Sequence, residues 1–493
     1  MFFQTSKKFF LVVNLLLAVC MVGFIIISNI SHSKGVSMKA SEHIKSVVMG
    51  PGAGEYVYDT DQSQIKQTVA KMLDDYPNLE KVSIVVGWFG DTKEAGKIEI
   101  APKVESKEGQ SWAVGEYTRD SAERVSVDSG GNIKWGGTPT DESIMEVCAL
   151  LKEKGIDVVL YPMLFIDDED KSWRGEIEAK TDEDVDHFFD EYNEFVMHYA
   201  NLEQDGVQLK SLISDFIIGS EMEGMTSYRN SDNEFKSVEK LKELAADVRE
   251  AVGADVKLTY AANWTEYHHT EGGWYHMDAL WADKNIDYIG IDAYFRLTDE
   301  ETSGNINPES IKEGWQSGID YDYYTDGDKQ VPLQDKYAVK NFEWFWKNEH
   351  VNPDGTKTEW QPGMKPISFT ETGFTAIDKT TNEPYKYSDP ATAGATLPEN
   401  STGDVDPAIQ YDAVVGTINF INEIAAKEGN EGMIADITWY NIDPKGQGTD
   451  FAHNHELKVA EYEDSLGIYD DDTQIAGLDQ TTPIPGSTTG EDS

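Results

Sequence analysis

Two cysteines in 493 residues, Cys20 and Cys148, leave no material for a disulfide framework or a cysteine-rich zinc site. Cys148 falls in an expected helix and reads as a small buried apolar residue. Positive charge is scarce as well. Against 90 Asp and Glu stand 41 Lys and Arg, for a net charge of −49. Such a chain repels phosphate backbones, which argues against nucleic acid as a direct partner and suits a protein kept soluble by repulsion outside the cell or in salt.

Long apolar runs are confined to one place. Residues 9–30 are mostly apolar, broken by Asn14, Ser28 and Asn29 and preceded by Lys7 and Lys8. That is long enough to cross a bilayer as a single amino-terminal transmembrane helix, and Ser28-Asn29-Ile30 makes a poor signal cleavage site. The expectation is an uncleaved anchor within residues 1–40, basic end in the cytoplasm and the rest periplasmic or extracellular. Cleavage would instead give a secreted protein. A polar linker is expected over 41–62, the main domain over 63–460, and a disordered, acidic, Thr/Gly/Pro-containing tail over 461–493.

Aromatic residues, by contrast, are plentiful. The 12 Trp and 23 Tyr exceed what a disordered chain carries, and their faces suit sugar rings. They accompany a regular alternation of strand-like and helix-like runs. Strands are expected at Lys81–Asp91, Asp157–Ile166, Phe216–Ile218, Val256–Ala262, Ile286–Ala293, Ile367–Thr370 and Met433–Tyr440, with a further one in the patchy stretch Gly96–Lys134. Helices fit Ser63–Leu73, Thr140–Glu153, Asp182–Leu202, Val238–Val252 and Ala408–Lys427. Eight strands interleaved with helices predict a (β/α)8 TIM barrel with long loop insertions.

Within that pattern, two runs end alike. Asp215-Phe-Ile-Ile-Gly-Ser delivers Glu221, and Lys365-Pro-Ile-Ser-Phe-Thr delivers Glu371. In a parallel barrel the carboxyl ends of the strands share one face, so two carboxylates are expected at one rim. Glycoside hydrolysis needs such a pair: one carboxyl protonates the leaving oxygen while the other attacks the sugar or activates water. Glu223, two residues on, competes with Glu221 for the acid's place. Trp88, Asp91, Arg174, Ser220, Asn263, Trp264, Glu266 and Asp292 lie at or just past strand ends as candidate substrate contacts. For Glu266 two readings stand open: contact with substrate, or raising the acid's pKa by like-charge repulsion. Trp173-Arg174 suits an acidic sugar or peptide carboxylate, or a structural ion pair. His268, His269, His276 and Asp278 share one loop but match no common zinc spacing, so neither metal nor cofactor is expected.

Several segments together resemble one family. They are Gly87-Trp-Phe-Gly90, Gly136-Gly-Thr-Pro139, Trp173-Arg-Gly175, Ile218-Gly-Ser-Glu221, Tyr260-Ala-Ala-Asn-Trp264, Ile289-Gly-Ile-Asp-Ala-Tyr294 and Lys365-Pro-Ile-Ser-Phe-Thr-Glu-Thr-Gly373. In this order they resemble the TIM-barrel-like glycoside hydrolase domain of gene transfer agent and phage-tail hub (baseplate) proteins, from about Val82 to Asp443. The resemblance implies a barrel similar to the retaining hydrolases of glycoside hydrolase clan A, with Glu221 as acid/base and Glu371 as nucleophile. It further implies that Tyr294 orients the nucleophile and that Trp439 is a sugar platform. Clan members carry Asn just before the acid/base; here Ser220 stands there. The implied partners are a polysaccharide, either cell-wall glycan or another β-linked glycan, the membrane through the amino-terminal helix, and an envelope or phage-tail-like assembly. The rival expectation is a barrel without turnover that serves as a glycan-binding or structural module. In the enzyme, Glu221 should hold the proton while Glu371 stays ionised.

Overall fold

The computed structural model describes residues 39–50, 52–60, 63–299, 306–316, 323–326, 329–332, 334–387, 396–444 and 454–467. The expected anchor at residues 9–30 and most of the expected tail lie outside them. Among the described residues no helix is long and apolar enough to cross a membrane. The chain divides into two compact units, 40–462 and a second made of 1–39 with 463–493. Of the second, Lys39 and residues 463–467 are described, the latter including the end of the helix Val459–Leu466.

The first unit is a closed barrel. Its parallel strands are β1 Ser46–Met49, β2 Lys81–Gly90, β3 Asp157–Ile166, β4 Asp215–Ser220, β5 Lys257–Asn263, β6 Ile289–Asp292, β7 Ile367–Thr372 and β8 Ile434–Ile442. Each pairs in parallel with the next, and β1 pairs with β8 through Ser46 opposite Thr438, which closes the ring. Helices α1 Ser63–Asp75, α2 Asp141–Glu153, α3 Asp182–Ala200, α4 Lys236–Val252, α5 Asp278–Trp281, α6 Pro308–Gln316 and α7 Pro407–Ala426 follow strands one to seven in turn.

The strand count corrects the sequence reading at two points. Strand one is Ser46–Met49, inside the stretch expected to be a linker; four residues between polar and Gly-Pro segments are too few to show a period. The patchy stretch holds no barrel strand. It gives Ile100–Ala101, antiparallel on the end of β2, and a small hairpin of Ala113–Val114 with Tyr117–Thr118. The missed strand and the surplus one cancel, so Glu221 still follows strand four and Glu371 ends strand seven.

The helices form where caps and apolar spacing agree. Thr181 caps α3 in a full capping box with Asp184, acids fill its first turn, and His198 sits in its last. Its buried face of Val185, Phe188, Phe189, Tyr192, Phe195, Val196 and Tyr199 repeats at helical spacing and packs on the barrel wall.

Strand alternation then splits the core into two layers. Val48, Val85, Val159, Tyr161, Met163, Ile217 and Ala261 point inward and fill the barrel, while their neighbours pack against the helices.

Candidate active site

Both strand-end glutamates follow a local break in their strand. In β4, Ile217 and Ser220 lie opposite Thr259 and Ala261 of β5, so β4 carries one extra residue. In β7, Phe369 and Glu371 lie opposite Ile291 and Asp292 of β6, again one extra. Such a bulge shifts the in–out phase and re-aims the side chains beyond it. At β4 it has a steric signature: a Cβ on Gly219 would meet Tyr192 Oη at 2.8 Å and Met222 Cε at 3.1 Å, on the helix side. Glycine is what lets the strand turn there. Ser220 then faces the site, and Glu221 adopts φ +49°, a left-handed backbone uncommon for a non-glycine residue.

Glu221 is 8 % exposed and held by three donors. Trp173 Nε1 donates to Oε2 at 3.0 Å, Arg174 Nη2 pairs with Oε2 at 2.7 Å, and Asn263 Nδ2 donates to Oε1 at 2.8 Å. Arg174 is itself anchored, its Nε donating to the Ser220 carbonyl and hydroxyl, both at 3.0 Å. The Ser220 hydroxyl therefore orients the guanidinium. Glu223 sits in a separate turn, where it accepts from Thr265 Oγ1 at 2.8 Å, so Glu221 is the carboxylate at the centre.

Across the mouth, Glu371 is 5 % exposed. Tyr294 Oη donates to its Oε2 at 2.8 Å, and its Oε1 has no hydrogen-bond partner among the described residues. Beside it Asp292 accepts from Thr370 Oγ1 at 2.8 Å and from Tyr161 Oη at 3.1 Å. Burial, then the charge of Glu221, pushes the Glu371 carboxyl up to about 7, against the pull of Arg174, Tyr294 and Tyr161. Burial and the charges of Glu371 and Glu221 also hold Asp292 well above the usual carboxylate range. One guanidinium faces three carboxyls, so a proton is favoured on the Glu371–Asp292 side. The Glu371 carboxyl thus lies above the usual carboxylate range, where the sequence reading expected it to stay ionised.

A family model for the GTA TIM-barrel-like domain matches residues 190–442, from within α3 to the end of β8 and including both glutamates. The chain belongs to that family. No curated protein sequence matches it. The GH113 β-mannanase of Alicyclobacillus acidocaldarius shares its fold, with a TM-score of 0.50, 14 % identity, and coverage of 86 % of this chain and 97 % of that one. A GH113 β-1,4-mannanase structure gives a TM-score of 0.49 at 15 % identity over 84 % and 93 %.

Several candidate contacts of this GTA TIM-barrel-like protein lie elsewhere. Trp88 points outward from β2, stacked on Phe195 of α3 at 5.0 Å with its indole N–H on Tyr199 Oη, so it is core rather than platform. Trp439 likewise faces the helix layer and is 1 % exposed. Its neighbour Tyr440 packs on the inward cluster and carries its ring toward Glu371. A single step in strand phase separates the two. Asp91 is exposed and caps a turn by accepting from Glu99 N at 3.0 Å. Trp264 is buried beside Tyr385, rings 5.6 Å apart and nearly parallel. Glu266 is not at the rim but 1 % exposed beneath it.

Three contributors escaped the sequence reading and a fourth was read only in part. Tyr161 sits mid-strand in an apolar run, where only its inward phase marks it. Thr370 and Tyr440 depend on the bulge in β7 and the phase of β8. Trp173, seen only as a partner for acids, is 38 % exposed and presents its ring beside Glu221.

The histidine loop is a buried aromatic cluster. His268 Nδ1 lies 2.9 Å from His269 Nδ1, and His350 Nδ1 lies 2.8 Å from Asp278 Oδ2. Burial lowers His269 to about 4 and His276 to about 3. Among the described residues no group of three His, Cys, Asp or Glu side chains could hold a metal ion.

Proposed function

We propose that this protein is a retaining glycoside hydrolase acting on a β-linked polysaccharide such as a cell-wall glycan. The observation that carries the reading is the pair of bulge-aimed glutamates at strands four and seven, close enough for Glu221's charge to raise Glu371. In the first step Glu371 attacks the anomeric carbon, the bond to the leaving oxygen breaks, and Glu221 gives that oxygen its proton. In the second, Glu221 takes a proton from water, the water oxygen bonds the anomeric carbon, and Glu371 leaves. Tyr294 fixes Glu371 Oε2, while Oε1 is buried without a hydrogen-bond partner among the described residues. The dyad needs one proton for this chemistry. The reaction requires that proton on Glu221, with Glu371 ionised.

A second reading is a glycan-binding barrel without turnover, in which the Glu221–Arg174 pair at 2.7 Å is a structural ion pair. Hydrolysis across a panel of reporter glycosides and polysaccharides separates the two: turnover lost in Glu371→Ala supports the enzyme, and its absence in the wild type supports the binding module. We further propose, from the composition of residues 9–30, that the barrel is membrane-anchored and exported. Fractionation of cells expressing the full chain tests this; a soluble product starting near Ser31 would indicate a cleaved signal.

A further inference from the structure

Beneath Glu221 lies a buried glutamate that none of these steps uses. Glu266 Oε1 accepts from Tyr260 Oη at 2.9 Å and from Thr226 Oγ1, and its Oε2 accepts from the Asn263 backbone N–H at 3.0 Å. Two of these three contacts lead directly to Glu221. Tyr260 Oη accepts the N–H of Met222 at 2.7 Å, and that is the peptide leaving Glu221. Asn263, held by its own N–H, sends Nδ2 to Glu221 Oε1 at 2.8 Å.

Glu221 needs such support. Its left-handed φ of +49° costs energy for a residue with a Cβ and persists only where neighbours over-determine it. On its amino side, Glu221 N–H is tied to the Ala261 carbonyl at 2.9 Å, a contact fixed by β5. On its carboxyl side the tie is Tyr260, and at the side chain it is Asn263. Both run back to Glu266.

We propose that Glu266 is a positioning residue that sets the place of Glu221 from two sides, through the Tyr260–Met222 contact and through Asn263. This rests on the reading of Glu221 as the acid/base. Glu266 is not a substrate contact, because it is 1 % exposed and its surroundings are filled by protein groups. Burial, with help from Glu223's charge, pushes its carboxyl up to about 8 against the three donors. The two ties survive either ionisation. When Glu266 is protonated, its O–H turns to Thr226 Oγ1, which can pass its own hydrogen to the Glu223 carbonyl 3.4 Å away. Tyr260 and Asn263 keep their acceptors.

The test uses Glu266→Gln, which keeps volume but sets an N–H against a neighbouring donor, and Tyr260→Phe, which removes only the hydroxyl that holds Met222. Each is assayed on phenyl and 2,4-dinitrophenyl glycosides of mannose, glucose, galactose and N-acetylglucosamine, alongside Glu371→Ala. A misplaced acid hurts leaving groups that need a proton. We expect kcat/KM on the phenyl glycoside to fall by about tenfold or more, and on the dinitrophenyl glycoside to stay within about threefold. Equal losses on both, following a lowered melting temperature, would mean a purely structural role and overturn the proposal. Crystal structures of both variants decide it without turnover: a displaced Met222 peptide or a broken Asn263–Glu221 contact supports it, and an unmoved Glu221 in both overturns it. Wild-type protein that cleaves none of the panel would count against the enzyme reading, while the structures still decide the positioning.

Discussion

Asp292 and Glu371 are register partners across β6 and β7, and burial, then the charge of Glu371, holds Asp292 well above the usual carboxylate range. With Glu371 raised as well, the chemistry should depend strongly on pH.

The first expectation concerns rate. Because the dyad must keep one proton, kcat/KM should fall with pH along an alkaline limb near 7, the value to which burial and Glu221 push Glu371. Tyr294 donates to the ionised form, so Tyr294→Phe should move that limb to higher pH and lower the plateau. A limb that stays put would detach Tyr294 from Glu371.

Stability should fall with rising pH as well. A carboxyl with a raised folded pKa contributes most below the unfolded value of about 4.3 and loses that contribution as pH climbs toward about 7. Glu371→Gln, which removes the buried charge, should therefore raise the melting temperature by several degrees at pH 8 and by little at pH 4. Melting curves at the two pH values check this, and a gain independent of pH would contradict it.

The bulge in β4 makes a steric prediction. Gly219→Ala places a Cβ 2.8 Å from Tyr192 Oη, so it should destabilise by about 1 to 3 kcal/mol and shift Glu221, with loss of activity. Adding Tyr192→Phe removes the clashing oxygen and should recover part of both. A double variant no better than the single would place the strain elsewhere.

Phase in β8 separates two aromatic neighbours. Trp439→Phe should lower stability with little effect on KM, since the indole is core, whereas Tyr440→Ala should weaken glycan binding. Titration of a cleavable oligosaccharide against inactive Glu371→Ala protein carrying each change reads the difference.

The barrel and the placing of its two glutamates at strand ends were legible in the sequence because β2 to β7 are buried on both faces along nearly their whole length and end at polar residues. Strand one was not, being four residues long. The roles of Trp88 and Trp439 were misjudged because strand-end position does not give strand phase; both point at helices. Tyr440 and Tyr161 were missed for the same reason, as an inward tyrosine in an apolar strand looks like any core residue. Glu266 was visible as a carboxylate but not its depth, which follows from the turn after β5 folding back under Asn263.

The seam of the barrel has a consequence for how the protein is made. Ser46 Oγ and Thr438 Oγ1 lie 2.8 Å apart in the core yet 392 positions apart in the chain. At about 5 to 20 residues per second, β8 emerges from the ribosome roughly 20 to 80 s after β1. Throughout that interval the free edge of β1, with Val47 and Val48, has no partner from its own chain. The yield of folded protein should therefore respond to translation speed and to anything that covers a hydrophobic edge, more than to substitutions around the glutamates.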